Sequence, residues 1–275
     1  MRDDLIKPQA QPADPVALAR REQQRPLPRR FYHDARAEPF GEGFALTLDG
    51  RIAKTPAKHD FVVPTLALAE AIAAEWQAQQ EHVNFAAMPL TRLAFTAIDG
   101  VAGQIPAVID EIAKYAETDL VCYRAEGPGG LVEEQAAAWD PVLDFAATQL
   151  SARFFCVEGI TFAPQPEAAR AAVRARIAEI GGSRVAPFAL ASLATMTALT
   201  GSVLIALALT EGHLSLDAAW RAAHVDEDFQ IRQWGEDREA TARRDLRFSD
   251  MAAAAAFWRL LGSEAGAGKT PGTSV

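Results

Sequence analysis

The sequence is short of the residues on which catalysis and metal binding are usually built. Its only two cysteines, Cys122 and Cys156, stand far apart and form no Cys-x-x-Cys pair, which excludes a zinc ribbon and a thioredoxin motif. Both read as small buried hydrophobes of a reducing compartment. The five histidines, His33, His59, His82, His213 and His224, make no His-Glu-x-x-His and no pair at helical ligand spacing. No Gly-x-Ser-x-Gly elbow occurs. Gly41-Glu42-Gly43 lacks the third glycine of a dinucleotide fingerprint and runs into a strand pattern. Gly268-Lys269-Thr270 looks like the end of a phosphate loop, but Ser263 stands where the first glycine belongs and no helix follows to aim the amides. No nucleophile–base pair can be named from spacing, so no reaction class emerges. Positive charge is also scarce. Lys and Arg number 27 against 36 Asp and Glu, a net charge of -9, which disfavours nucleic acid and anionic lipid as partners. The N-terminus has no apolar signal region. The uncharged run at 188–209 is long enough for a bilayer, yet it carries Ser192, Thr195, Thr197, Thr200 and Ser202, with Gly201 in its middle and no flanking basic or aromatic belt. It reads as a buried central helix, or as two helices meeting near Gly201; the contrary reading is a membrane-associated scaffold.

With 49% hydrophobic residues in 275, the chain can bury one large core or two modest ones. Residues 1–28, rich in Pro and Gln, read as a flexible arm, and 263–275 as a disordered tail. Arg30-Phe31-Tyr32 is the expected first strand. Phe44-Ala45-Leu46-Thr47-Leu48 alternates and meets Asp49-Gly50, the strongest short hairpin signal, so 51–54 is the return strand and Phe61-Val62-Val63 a further one. Helical stripes follow: Leu68, Ile72 and Trp76 in 65–80, and Ile105, Ile109 and Ile112 in 104–116. A helix over 131–150 is expected to kink or restart at Asp140-Pro141. Residues 153–162 have strand character, and the helix over 167–180 is closed by Gly181-Gly182. Further helices are expected over 215–247 and 250–261. Strands gather early and helices late, which gives an α+β fold: a small antiparallel β domain with one helix at 29–88, then a larger, mainly α-helical domain at 89–262, with the boundary near 83–90.

The densest chemistry lies near the C-terminus. Asp226-Glu227-Asp228-Phe229-Gln230 is followed by Trp234-Gly235-Glu236-Asp237 and Glu239. Like charges so close on a helix repel by a few tenths of a kcal/mol per pair. If one helix runs through Gly235, Asp226, Gln230, Gln233 and Asp237 share a face and Phe229, Glu236 and Ala240 an adjoining one, a surface suited to gripping basic groups of a partner. The alternative is a solvated helix whose Phe229 and Trp234 point into the core. Gly235 within a helix costs about 1 kcal/mol, so a break there is the other possibility. Trp76 has the same double reading, as core or as partner contact. His224, Asp226 and Asp228, with Asp237, are the one set that suggests a metal-assisted hydrolase, although positions i, i+2 and i+4 of a helix do not share a face. Asp119 and Arg124 are expected to pair with each other or with neighbours.

These pieces fall into an ordered pattern over 29–245: Arg30-Phe31-Tyr32; Leu48-Asp49-Gly50-Arg51 with Lys54-Thr55-Pro56; Ala74-Glu75-Trp76 with Gln79; Met88-Pro89-Leu90-Thr91-Arg92-Leu93; Thr96-Ala97-Ile98-Asp99; Asp119-Leu120 with Cys122-Tyr123-Arg124-Ala125; Trp139-Asp140-Pro141; Thr200-Gly201-Ser202; Asp226 to Gln230; and Trp234-Gly235-Glu236. In this order they resemble the assembly chaperone of F-type ATP synthase that attends the α subunit, found in mitochondria and alphaproteobacteria. The resemblance implies a small β-containing domain and a helical domain, no enzymatic activity and no cofactor. It further implies that the chain holds free α subunit until β subunits replace it. A monomer is expected, and the absent targeting peptide fits a bacterial cytoplasm or, as a processed form, a mitochondrial matrix. It places a functional acid on Glu236, with Glu239 and Asp226 next. Phe95 departs from the asparagine common at that position of the family.

Overall fold

The computed structural model describes residues 27–159 and 161–262; the expected tail at 263–275, and all of the expected arm except Leu27 and Pro28, lie outside the described residues. Asp49 and Gly50 take φ values of 49° and 76°, the left-handed pair that a two-residue hairpin turn needs. β2 (Gly43–Leu48) therefore folds straight back into β3 (Arg51–Ile52). β1 (Ala35–Phe40) pairs antiparallel with all of β2, from Ala35 opposite Leu48 to Phe40 opposite Gly43. β4 (Val62–Val63) joins β2 at Phe44 and Ala45. The first strand is thus not Arg30-Phe31-Tyr32. That segment is pinned across the sheet onto a helix instead, the Tyr32 hydroxyl donating to the Trp76 carbonyl at 2.7 Å. β1 lies at the sheet edge, where its Pro39 is tolerated.

The helices α1 (Leu66–Gln77), α2 (Pro89–Phe95) and α3 (Ile105–Ala113) follow. On α1, Leu68, Ile72 and Trp76 are all buried, as their spacing requires. α4 (Gly129–Gln149) runs unbroken through Pro141, against the expected kink. Ala137 and Pro141 both lie on its exposed side, where water can satisfy the carbonyl that proline leaves free. Among the described residues of the expected strand at 153–162, only β6 (Val157–Glu158) forms, parallel to β5 (Tyr123–Arg124). α5 (Glu167–Gly181) ends with Gly182 in right-handed backbone, so the glycines are not a left-handed stop. Gly181 is there for contact: a Cβ would sit 2.6 Å from Ile109.

The uncharged run is two helices, α6 (Ala186–Thr200) and α7 (Val203–Thr210), turning at Gly201 with φ 68°. Val203 to Ala208 are wholly buried. No single helix among the described residues is long and apolar enough to cross a membrane; one pair, Pro89–Val101 with Ile105–Cys122, passes together but is bent by 112°. The expected helix over 215–247 is three: α8 (Leu216–Ala223), α9 (Val225–Trp234) and the start of α10 (Arg238–Leu260), which absorbs the last expected helix. Cys122 is buried, and burial pushes its thiol pKa upward. Cys156 is exposed, contrary to expectation, on the irregular segment before β6.

Long-range polar contacts tie these elements together. The Glu75 carboxylate accepts from the backbone N–H groups of Leu90 and Thr91, each at 2.8 Å, and so caps α2 from α1. Asp99 accepts from the Thr55 hydroxyl at 2.6 Å and the Ala57 N–H at 3.0 Å. Asp119 does not meet Arg124; it is wholly buried and accepts from the Leu204 N–H at 3.1 Å, capping α7. Burial raises its pKa to about 6, against the hydrogen bonds that lower it. Arg124 instead reaches Asp140 at 2.8 Å and lies over the Trp139 ring. Trp139 donates to the Ala222 carbonyl at the end of α8.

Candidate docking elbow at the turn from α9 to α10

α9 is an acidic helix whose N-terminal turn carries Asp226, Glu227 and Asp228, where carboxylates offset the positive end of the helix dipole. Each carboxylate then goes its own way. Asp226 accepts from the Gln135 amide at 2.7 Å, and Gln135 in turn accepts from the Ala125 N–H at 2.8 Å. Asp226 is therefore a tether between α9 and α4. Asp228 pairs with Arg244 of α10 at 2.5 Å. Glu227 is half-exposed and stands 4.0 Å from the His224 ring. Phe229 is partly buried beside Gly130 of α4 and under the Arg232 guanidinium, and Arg232 pairs with Glu134. Gln230 is exposed.

The helix stops at Trp234 because Gly235 takes φ 88° and ψ 172°, backbone open essentially only to glycine. Asp237 restarts the chain, its carboxylate accepting from the Ala240 N–H at 2.8 Å as the N-cap of α10. The stripe expected for one unbroken helix does not exist, since Asp226, Gln230 and Gln233 belong to one axis and Asp237 to another. Trp234 does not point into the core either; it is 87% exposed. Glu236, next to it, is exposed and makes no hydrogen bond or ion pair among the described residues. Glu239 is exposed and faces Arg243 at 3.7 Å.

The turn opens a cleft of about 520 Å³ with Ile231 and Trp234 on one wall and Ala240, Arg243 and Arg247 on the other. Leu246, 70% exposed, lies farther along α10. This basic wall was missing from the sequence reading, although Arg238, Arg243, Arg244 and Arg247 were visible there. Which way these side chains face depends on the angle the chain takes at Gly235, which local spacing does not encode. Trp76, by contrast, is 4% exposed and donates from its indole to the Thr91 hydroxyl at 3.1 Å. It packs as core and lies far from this elbow in the chain.

The metal reading fails on geometry. Among the described residues no group of three or more His, Cys, Asp and Glu side chains is placed to hold an ion. His224 is buried with Nδ1 2.8 Å from the Trp220 carbonyl. Burial lowers its pKa, and the ring packs on Trp220 at 3.8 Å. Asp226 and Asp228 are committed to Gln135 and Arg244. The elbow thus offers an exposed indole, an uncommitted carboxylate and an apolar cleft with charged rims, the side-chain chemistry of a protein-binding hot spot.

A family model described as ATP12 chaperone protein matches residues 29–147. The crystal structure of the Atu1473 protein from Agrobacterium tumefaciens is 46% identical, with 90% of this chain and 92% of that chain covered at a TM-score of 0.82. Atp12 from Paracoccus denitrificans is 39% identical, with 85% and 98% covered at a TM-score of 0.79. An aspartate-to-lysine mutant of the same protein superposes with 85% and 97% covered, also at 0.79.

Proposed function

The chain belongs to the ATP12 chaperone family, and from that premise we propose that it is an assembly chaperone of F-type ATP synthase that holds the free α subunit and prevents its aggregation until β subunits take its place. It acts without cofactor or bond-breaking chemistry, as a monomer, in a bacterial cytoplasm or a mitochondrial matrix. An unassembled α subunit exposes apolar interface that would otherwise self-associate. The observation that carries the reading is Trp234 standing 87% exposed beside Glu236, which is unpaired among the described residues. An isolated chain gains nothing from an indole in water, whereas a partner that covers it gains most of the burial energy of a large aromatic.

The residues of the proposed contact are Trp234, Glu236, Glu239, Glu227, Gln230 and Asp237. Asp226 and Phe229 support it from beneath by fixing α9 to α4. The carboxylates steer and select basic groups on the client, while the indole and the cleft supply apolar burial. The test is light scattering of unassembled α subunit with and without the purified chain. Suppressed aggregation, weakened by Glu236→Lys, is the expected result. A chain that forms no complex with free α subunit at low or moderate salt would remove the proposal.

A further inference from the structure

The second most exposed large aromatic among the described residues, after Trp234, is Phe31, at 73%. It stands at the mouth of a hollow of about 470 Å³, whose floor is Tyr32 and Trp76 and whose rim carries Asp49, Arg51 and Lys54. Phe31 touches the Tyr32 ring edge-on, with centroids 5.3 Å apart, and Tyr32 packs on Trp76 at 5.5 Å. The charges around the hollow are nearly all committed. Both Asp49 oxygens accept from backbone N–H groups, of His33 at 3.0 and 3.2 Å and of Asp34 at 2.9 Å. Lys54 pairs with Asp60 at 2.5 Å. Arg30 donates to the carbonyls of Tyr32, His33, Gln77 and Gln79. Arg51, held on β3 by the hairpin turn, is exposed and has no hydrogen-bond or ion-pair partner for its side chain among the described residues.

We infer that the hollow between Phe31 and Arg51 is a second docking site, which takes a client segment carrying a carboxylate beside an aromatic or large aliphatic side chain. A guanidinium free of internal partners is suited to bidentate pairing with a carboxylate. The exposed Phe31 ring is suited to an apolar side chain beside that carboxylate. The occupant is a polypeptide rather than a small molecule, because a ligand filling the hollow would leave the outward face of Phe31 wet. The site mirrors the elbow with the sign reversed: there an exposed ring adjoins a free carboxylate, here a free guanidinium. Two anchors at separate places on the chain fix the direction in which a client lies, which a single patch cannot do.

The first arm of the test does not depend on the client's identity. N-acetyl-Asp-Phe-amide is titrated into the full-length protein with nuclear magnetic resonance detection, and N-acetyl-Lys-Phe-amide serves as control. The expected result is saturable shifts confined to Phe31, Tyr32 and residues 51–54 for the acidic dipeptide only. Equal shifts with both peptides, or none, overturn the site. The second arm rests on the proposed function and measures affinity for unassembled α subunit. Arg51→Glu and Phe31→Ala are each expected to weaken binding about tenfold, with Arg51→Lys largely retaining it. Melting temperatures should be unchanged, since both side chains are exposed. If Glu236→Lys weakens the complex while Arg51→Glu and Phe31→Ala do not, the hollow is not a docking surface although the proposed function stands. If wild-type protein does not bind α subunit, that function falls and the dipeptide arm alone decides the hollow.

Discussion

Replacing Trp234 by alanine separates binding from folding. The side chain is 87% exposed and makes no hydrogen bond or ring contact among the described residues. Its removal should change the free chain's stability by no more than about 0.5 kcal/mol, the usual range for a surface substitution. In a complex the indole has up to about 200 Å² to bury, an upper bound near 5 kcal/mol at about 25 cal/mol per Å². Ordering of side chains and imperfect desolvation reduce that figure, and hot-spot tryptophans lose about 2–4 kcal/mol on truncation. Trp234→Ala should therefore weaken binding of unassembled α subunit about 30-fold or more, mainly through faster dissociation. Titration calorimetry gives the affinity and thermal unfolding of the free variant gives the stability. Binding within about threefold of wild type, or a melting temperature lowered by several degrees, would refute the reasoning. The latter would mean that the indole is packed after all.

Three further outcomes follow from the same geometry. Gly235→Ala forces a β-carbon into backbone that only glycine tolerates; it should cost about 1–3 kcal/mol in urea unfolding and weaken client binding through the re-aimed α10. Glu75→Ala leaves the amides of Leu90 and Thr91 and the Thr91 hydroxyl without their acceptor, and should cost about 1–3 kcal/mol in the same assay. Asp119 has its folded-state pKa raised from 3.8 to about 6, so the folded state holds the proton more tightly than the unfolded one and stability falls as pH rises from about 4 to about 6. Two pKa units correspond to a loss of about 3 kcal/mol by neutral pH. Asp119→Asn, which cannot titrate, should lack that part of the decline in urea unfolding between about pH 4.5 and about pH 7.5; identical slopes in both proteins would refute it.

Features fixed by neighbouring residues were legible in the sequence. The Asp49-Gly50 turn needs only its own left-handed backbone, the stripe of Leu68, Ile72 and Trp76 only helical spacing, and the α6–α7 break only Gly201. Features decided at long range were not. Ala35–Phe40 alternates only the small Ala35 and Ala37 with Arg36 and Glu38 and contains Pro39, a weak strand signal, so its pairing is visible only beside β2. Pro141 reads as a break until α4 is seen to turn that residue outward. Asp119 looked like a partner for nearby Arg124, but its acceptor role is spent on Leu204, 85 positions away. The elbow lay between these cases. Its acids and aromatics stood out, yet which were committed depended on Gln135, Glu134 and Arg244, from elements whose approach local spacing does not encode. Many residues that carry the family resemblance prove to be internal struts, among them Glu75, Trp76, Asp99, Asp119, Trp139 and Asp226. Trp234 and Glu236 belong to the same pattern but carry no such internal load, which directs attention to the surface they form.

The turn between α9 and α10 is the proposed seat of the client. The most direct test places a photoreactive benzoyl-phenylalanine at position 234, with controls at the exposed Phe155 and Phe162, and irradiates each protein with unassembled α subunit. A covalent adduct from position 234, lost when Glu236→Lys is added, is the expected result. Adducts from the control positions with none from position 234 would contradict it.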